Sequence, residues 1–427
     1  MKTVLISVPL GHYARNLLRT GLLDHLSASG TEVVIATPAY QEPSFVTEFS
    51  QNGLGHKVHF APLYPIREEK RLWERILWKG YITVMPHRGL FLPLMTLNHR
   101  LYSGLEPRRY DAFFESYKPE LLVTASPGFH SARDIPLIRE AQNRKIRTLC
   151  AVFGWDNLTT KGIFPTRPDF LAVWNERMVE EAVRIHHYSR DHVFIVGPTA
   201  FDIYQDPAIY LSKEMFCGKL RLDPQKKMIT VTTASAAVFD DRYILRMLLR
   251  FAKNGLFKHP AQILCRVHPQ DQRDLYQEFE GNEYIHLDYP GRYSNFLKWD
   301  PDREEMVHLA NTLRHSDVVI NIASTTTIEA ALLNRPVINI GFCEEDPHRF
   351  ESRIKRDHYG KHYRHILEQG GVWHVQSESE LLRAVNTYLK DPSLHGEERG
   401  RMAEDLCYRL DGKATERLAT LMERLVR

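Results

Sequence analysis

The chain has 427 residues, more than one ordinary hydrophobic core supports, so two domains of near 200 residues are expected. Apolar residues make up 43% and charged residues 26%, the composition of a soluble globular protein. A net charge of +3 is too small to suggest nucleic acid as the main partner, so any basic surface is local, and no apolar run reaches the roughly 20 residues that span a bilayer. Cys150, Cys217, Cys265, Cys343 and Cys407 lie far apart with no CxxC pair, which fits a reduced, cytoplasmic protein.

In chain order, Val4–Val8 reads as a first strand rather than a signal peptide, since no small-residue cleavage site follows it. It ends at Gly11-His12. A histidine at a strand end can take a proton from an acceptor hydroxyl at neutral pH, or simply bond a neighbouring loop. Strands follow at Val33–Thr37 and Val58–Ala61. Residues 67–109 hold nine Lys or Arg against four acids, with Trp73, Trp78, Tyr81 and Phe91 among them. A solvated helical insertion on the first domain is the favoured reading, and peripheral contact with an anionic membrane is the alternative.

The strand Leu121–Thr124 leads into Ser126-Pro-Gly-Phe-His130, where His130 is placed to touch an acceptor. Thr148–Phe153 leads into Gly154-Trp155-Asp156-Asn157-Leu-Thr-Thr-Lys161. Such polar residues packed in one loop either bind something or bond one another. Asp156 is the second candidate base, or the group that orients His12, and Trp155, Asn157 and Lys161 are candidate acceptor contacts. Strands at Phe170–Val173 and Val193–Val196 complete the first half, which Gly197-Pro198 breaks.

The second half restarts with Met228–Thr233 and the small-residue loop holding Ser235. Ile263–Val267 ends in Arg266-Val-His268-Pro, whose guanidinium and imidazole can hold phosphate oxygens. After Tyr284–Leu287 comes the most informative stretch, Asp317-Val-Val-Ile-Asn-Ile-Ala-Ser324-Thr325-Thr326-Thr-Ile-Glu329. It reads as a buried strand, a hydroxyl-rich turn and a short helix. A helix N-terminus gathers unpaired N–H groups and a positive dipole end, which suits a phosphate, and Glu329 could reach a ribose diol. The competing reading is a capping box in Thr326-Thr-Ile-Glu329 that ties off its own helix. Val337–Ile340 and Val372–Val375 are further strands, and Lys413–Val426 is an amphipathic helix that could pack back on the first domain.

Strands alternating with helices predict an α/β fold with two doubly wound, Rossmann-like domains facing a cleft. The expected division is 1–200, a linker at 201–225, 226–410, and a returning C-terminal helix at 411–427.

Four segments carry a resemblance. They are Gly154–Gly162 with Val173-Trp-Asn-Glu176, Val196-Gly-Pro-Thr-Ala-Phe-Asp202, Arg266-Val-His-Pro-Gln-Asp271, and Asn321–Ala330 with Pro336–Phe342. With them the chain resembles the nucleotide-sugar glycosyltransferases of the GT-B fold. More narrowly it is similar to the bacterial surface-polysaccharide group related to the CDP-glycerol glycerophosphotransferases. Asp411–Arg417 is similar too, and the first 150 residues match only through Gly11-His12, which looks like the base histidine of inverting members.

The resemblance implies a donor diphosphate held by His268, Ser324 and Thr325, and a donor ribose held by Glu329. Many retaining relatives carry a second glutamate eight positions earlier. Asn321 stands there, which points to inversion. No bound cofactor or metal is implied, and the nucleotide-diphosphate sugar is a co-substrate whose base stays open among UDP, CDP and GDP. The expected acceptor is a glycan or lipid-linked hydroxyl, met in the cytoplasm or at the inner face of the plasma membrane. The alternatives are a CDP-alditol phosphotransferase, a non-catalytic nucleotide-sugar-binding protein and, fitting less well, a nucleotide-sugar 2-epimerase.

Overall fold

The computed structural model describes residues 2–50, 58–65, 90, 93–94, 97, 109–128, 131–161 and 164–426, which divide into two compact units. The first comprises Met1–Asp202, Tyr293–Asp300 and Cys407–Arg427. The second comprises Ile203–Arg292 and Pro301–Leu406.

In the first unit, β1 (Thr3–Ser7), β2 (Glu32–Thr37), β3 (Val58–Pro62), β4 (Leu121–Thr124), β5 (Arg147–Ala151), β6 (Phe170–Val173) and β7 (Val193–Ile195) form one parallel sheet. Their order is β3-β2-β1-β4-β5-β6-β7. Successive strand side chains point to opposite faces, and here both faces are covered. Val4 and Ile6 join a cluster with Leu22, Leu26, Leu418 and Met422, whereas Leu5 joins Leu122, Leu137 and Ile138 on the other side. That is why the middle of β1, Val4-Leu5-Ile6, is apolar at successive positions.

The helix Ala414–Leu425 supplies Leu418, Leu421, Met422 and Leu425 to the first of these clusters. Its cap comes from a distant residue. The Asp202 carboxylate accepts from the amides of Ala414 at 2.9 Å and Thr415 at 2.7 Å, placing an acid where the helix dipole favours one. Gly197 has φ +88°, and a Cβ there would press on Ala414 and on the Cys407 carbonyl. The break at Gly197-Pro198 is therefore a left-handed corner under the returning helix.

Chain order continues with β8 (Lys227–Thr232), β9 (Ala261–Arg266), β10 (Ile285–Asp288), two short strands β11 (Tyr293–Ser294) and β12 (Lys298–Trp299), then β13 (Val318–Asn321), β14 (Val337–Ile340) and β15 (Trp373–Val375). The second unit is a parallel sheet in the order β10-β9-β8-β13-β14-β15. The α/β class with two parallel sheets thus holds.

The division differs from the expected one in three places. Residues 203–225 are no free linker, because Phe216, Cys217 and Leu222 pack with Met228 and Leu264 in the second unit. The first unit regains the chain at Cys407. It also takes in the antiparallel hairpin β11–β12, which the sequence reading did not foresee.

That hairpin is firmly held within the first unit. The Gly11 amide donates to the Leu297 carbonyl at 2.9 Å, and Arg19 pairs with Asp300 at 2.6 Å while both side chains are buried. A side chain at Gly11 would run into the backbone of Trp299 and Asp300, so only glycine lets the His12 turn lie against the hairpin.

Candidate nucleotide site and its structural relatives

In open parallel sheets, ligands bind beyond the carboxyl ends of the strands where the strand order reverses. In the second unit that point lies between β8 and β13. Ser235 follows β8, His268 follows β9, and Ser324, Thr325, Thr326 and Glu329 follow β13. The donor-side candidates therefore sit on three neighbouring strand ends.

The loop after β8 is tied down by carboxylates. The Ala234 amide donates to Asp241 Oδ2 at 2.6 Å, and the Ala236 amide donates to Asp271 Oδ1 at 3.0 Å. Ser235 is buried, with its hydroxyl 3.4 Å from Asp271 Oδ1. His268 is half-buried, and burial lowers its pKa although Asp271 pulls the other way. Its Nδ1 accepts from the Gln270 amide at 3.2 Å, which leaves the ring proton on Nε2 as an available donor.

The helix Thr325–Leu332 settles the capping-box question. Ser324 is its N-cap, with the hydroxyl accepting from the Thr326 amide at 3.2 Å. Glu329 is then the fifth helical residue, too far along to reach back to the cap, so the alternative box is corrected. Thr325 is exposed, Thr326 half-buried, and Glu329 is 7% exposed.

Beneath this turn lies a buried polar layer. Asn321 Oδ1 accepts from Thr327 Oγ1 at 3.1 Å and from Asn339 Nδ2 at 2.8 Å, and the Tyr363 hydroxyl donates to Thr327 Oγ1 at 2.8 Å. Tyr359 donates to the carbonyls of Ile322 and Ile340. A satisfied network of this kind makes the turn rigid.

Arg266 has a different task from the one expected. Its guanidinium is buried and bonds Asp288 at 2.8 Å and Glu305 on its other nitrogen. Burial alone would lower its pKa, and the two carboxylates reverse that and raise it. Each outer nitrogen bonds a protein acid, so the buried guanidinium is committed first to anchoring Asp288 and Glu305 rather than to a phosphate. Glu305 also accepts from the Gly291 amide at 3.1 Å, which anchors the loop after β10.

In the first unit the order reverses between β1 and β4. His12 lies in the turn after β1, half-buried, with its ring centroid 4.7 Å from that of Phe153 in the loop after β5. The polar loop mostly bonds itself. Asn157 Oδ1 accepts from the Gly154 amide at 3.0 Å. Asp156 accepts from Asn157 Nδ2 at 3.2 Å and from Thr160 Oγ1 at 2.8 Å. Trp155 and Asn157 are buried and Lys161 is exposed, while His130 and most of the basic stretch 67–109 lie outside the described residues.

Asp134 is the residue that sequence reasoning missed. It begins the helix Asp134–Asn143, is fully buried, and accepts from Ser7 Oγ at 2.5 Å at the end of β1. Burial pushes its pKa up to about 7, while the Ser7 bond pulls it down. An acid at a helix start reads as an ordinary first-turn residue, so no local signal marks it.

A carboxyl raised from 3.8 to about 7 keeps its proton in the folded state where the unfolded chain has lost it. Its contribution is present below 3.8 and lost as pH rises through about 7. Buried Asp241 and Glu181 are raised to about 8 and about 7, so the informative quantity is a difference. We expect the urea midpoint of the wild type to fall more between pH 5 and pH 8 than that of Asp134→Asn. Equal slopes would refute the buried acid.

Among the described residues, no cluster of His, Cys, Asp or Glu could hold a metal ion, and no helix is long and apolar enough to cross a membrane. No family model and no curated protein sequence matches this chain. Solved structures do. The UDP-GlcNAc 2-epimerase of Neisseria meningitidis bound to UDP-GlcNAc matches with TM-score 0.57 at 13% identity, over 99% of this chain and 100% of that one. The wall teichoic acid polymerase TagF, soaked with CDPG, matches with TM-score 0.54 at 12% identity, over 99% of this chain and 88% of that one. The glycosyltransferase of kitacinnamycin matches with TM-score 0.55 at 13% identity, over 100% and 99%. Two parallel sheets in one chain and these likenesses over its whole length show that this protein has the GT-B fold.

Proposed function

We propose that the protein is an inverting, metal-independent glycosyltransferase that moves a sugar from a nucleotide-diphosphate donor to an acceptor hydroxyl in surface polysaccharide or glycoconjugate synthesis. The observation that carries this reading is the convergence of His268, Ser324, Thr325 and Glu329 on strand ends around the reversal point of the second sheet. In this reading the donor diphosphate meets the Nε2–H of His268 and the hydroxyls of Ser324 and Thr325, flanked by Ser235 and Thr326, and Glu329 takes the ribose.

The acceptor oxygen forms a bond to the anomeric carbon as the bond from that carbon to the diphosphate oxygen breaks. The electron pair leaves with the diphosphate, and the acceptor proton goes to His12. Asp156, bonded within its own turn, has the supporting role of shaping the loop beside Phe153. Donors aimed at the departing phosphate gain strength as charge develops there, which favours the transition state over the ground state.

Transfer of a phosphopolyol from a CDP-alditol is the second reading. TagF with CDPG is as near in structure as the kitacinnamycin glycosyltransferase, and the same second-unit residues would hold either pyrophosphate. Melting points in UDP, CDP, GDP, dTDP and CMP come first. A ligand at about 100 times its dissociation constant adds ~2.7 kcal/mol, a readily measured shift. Incubation with UDP-sugars, with CDP-glycerol, and with UDP-GlcNAc lacking acceptor then separates transfer, phosphotransfer and epimerisation. No shift with any nucleoside diphosphate sinks the proposal.

A further inference from the structure

Two strand-end loops of the second unit are locked together by side chains that the donor site does not itself use. Thr233 Oγ1 accepts from the His268 amide at 2.8 Å, so the end of β8 holds the turn after β9. The Tyr276 hydroxyl bridges Thr233 Oγ1 at 3.2 Å and Asp271 Oδ2 at 3.0 Å. The other face of the Asp271 carboxylate accepts from the Ala236 amide at 3.0 Å and lies 3.4 Å from Ser235 Oγ. The Asp271 amide returns to the His268 carbonyl at 2.9 Å, closing the turn in which Gln270 N–H meets His268 Nδ1.

We infer that Thr233, Asp271 and Tyr276 are positioning residues that fix the orientation and tautomer of His268, so that its Nε2–H faces a nucleotide diphosphate. The physical reason lies in the imidazole. A neutral ring has one donor and one acceptor nitrogen, and whichever bond one nitrogen makes decides what the other can offer. With Nδ1 engaged by a backbone amide, Nε2 must donate. The amide can engage it only while the His268–Asp271 turn keeps its shape, and that turn is braced at the His268 amide by Thr233 and at its far end by Asp271. Ser235, on the loop that Asp271 holds, is registered by the same strut. The hydroxyl comes from the end of β8 and the phenol from Arg273–Phe279, so two elements outside the turn hold it and the carboxylate at its far end.

This inference rests on the donor site proposed above, and the experiment separates the two. The side-chain ¹⁵N resonances of His268 report its tautomer without any ligand. Donor-side affinity is read with UDP and CDP, and KM and kcat with the active donor. Thr233→Val and Asp271→Ala are expected to give mixed His268 tautomers and to weaken nucleotide binding about tenfold, the equivalent of about one hydrogen bond, with kcat falling as well because the same donor meets the departing phosphate. Thr233→Ser, which keeps the acceptor oxygen, is expected to behave as wild type. Tyr276→Phe covers the case in which Asp271→Ala does not fold.

If His268→Ala abolishes binding while these variants keep a pure Nε2–H tautomer and wild-type KM and kcat, the positioning role is overturned and the donor site stands. If His268→Ala leaves nucleotide binding intact, the donor site itself is wrong and the inference falls with it.

Discussion

His268→Ala is expected to lower kcat by about 10²–10³-fold with its cognate donor, the usual loss when one preorganised donor to a developing charge is removed. The imidazole is half-buried, its pKa is lowered by that burial, and its proton sits on Nε2, so at neutral pH it acts as an uncharged donor. A protein that needed a cation there would gain from acid. This one should instead keep nucleotide affinity level from pH 7 to pH 8, because no proton leaves the ring in that range. His268→Gln, which can offer an amide N–H, should recover part of the loss. Unchanged turnover in His268→Ala removes this residue from the site.

Arg266→Met is expected to cost about 3–5 kcal/mol of stability, because removing one partner of a buried ion pair leaves its acids uncompensated. Asp288 and Glu305 would both remain, each with a side chain no more than 12% exposed. His308 Nε2, 3.0 Å from Asp288 Oδ2, would relieve only one of them. The measurement is the urea midpoint of the transition belonging to the second unit. Methionine keeps most of the volume, so a lost midpoint reports charge and not a cavity. A midpoint equal to wild type, with nucleotide binding lost, would restore Arg266 to the phosphate.

The difference between these two residues bears on what could be read beforehand. Arg266 and His268 stand two apart at one strand end, and either is a good phosphate partner by residue type. Which one is available depends on what faces it. Asp288 comes from β10 and Glu305 from the helix Arg303–His315, 22 and 39 residues further along the chain, and together they claim Arg266. His268 meets Thr233 and Asp271, which brace its turn and leave the ring edge. The loop of Trp155, Asp156 and Asn157 posed a similar question, to bind or to bond itself, and the observed bonds lie within the turn.

By itself the sequence determined the architecture: thirteen apolar β-rich runs at Rossmann-like spacing became the seven and six strands of two parallel sheets. Strands buried on both faces are mostly apolar, so their positions are written locally, as are the corner at Gly197 and the helix start near Ser324. Only the tertiary structure decided the rest. The hairpin Tyr293–Asp300 has no period to read, and it belongs to the first unit because Arg19, Gly11 and Glu42 hold it there. The buried acid of Asp134, the diversion of Arg266 and the bracing of His268 all depend on partners distant in the chain. A hydrogen bond or ion pair is set by what arrives opposite, and a linear pattern carries no record of that.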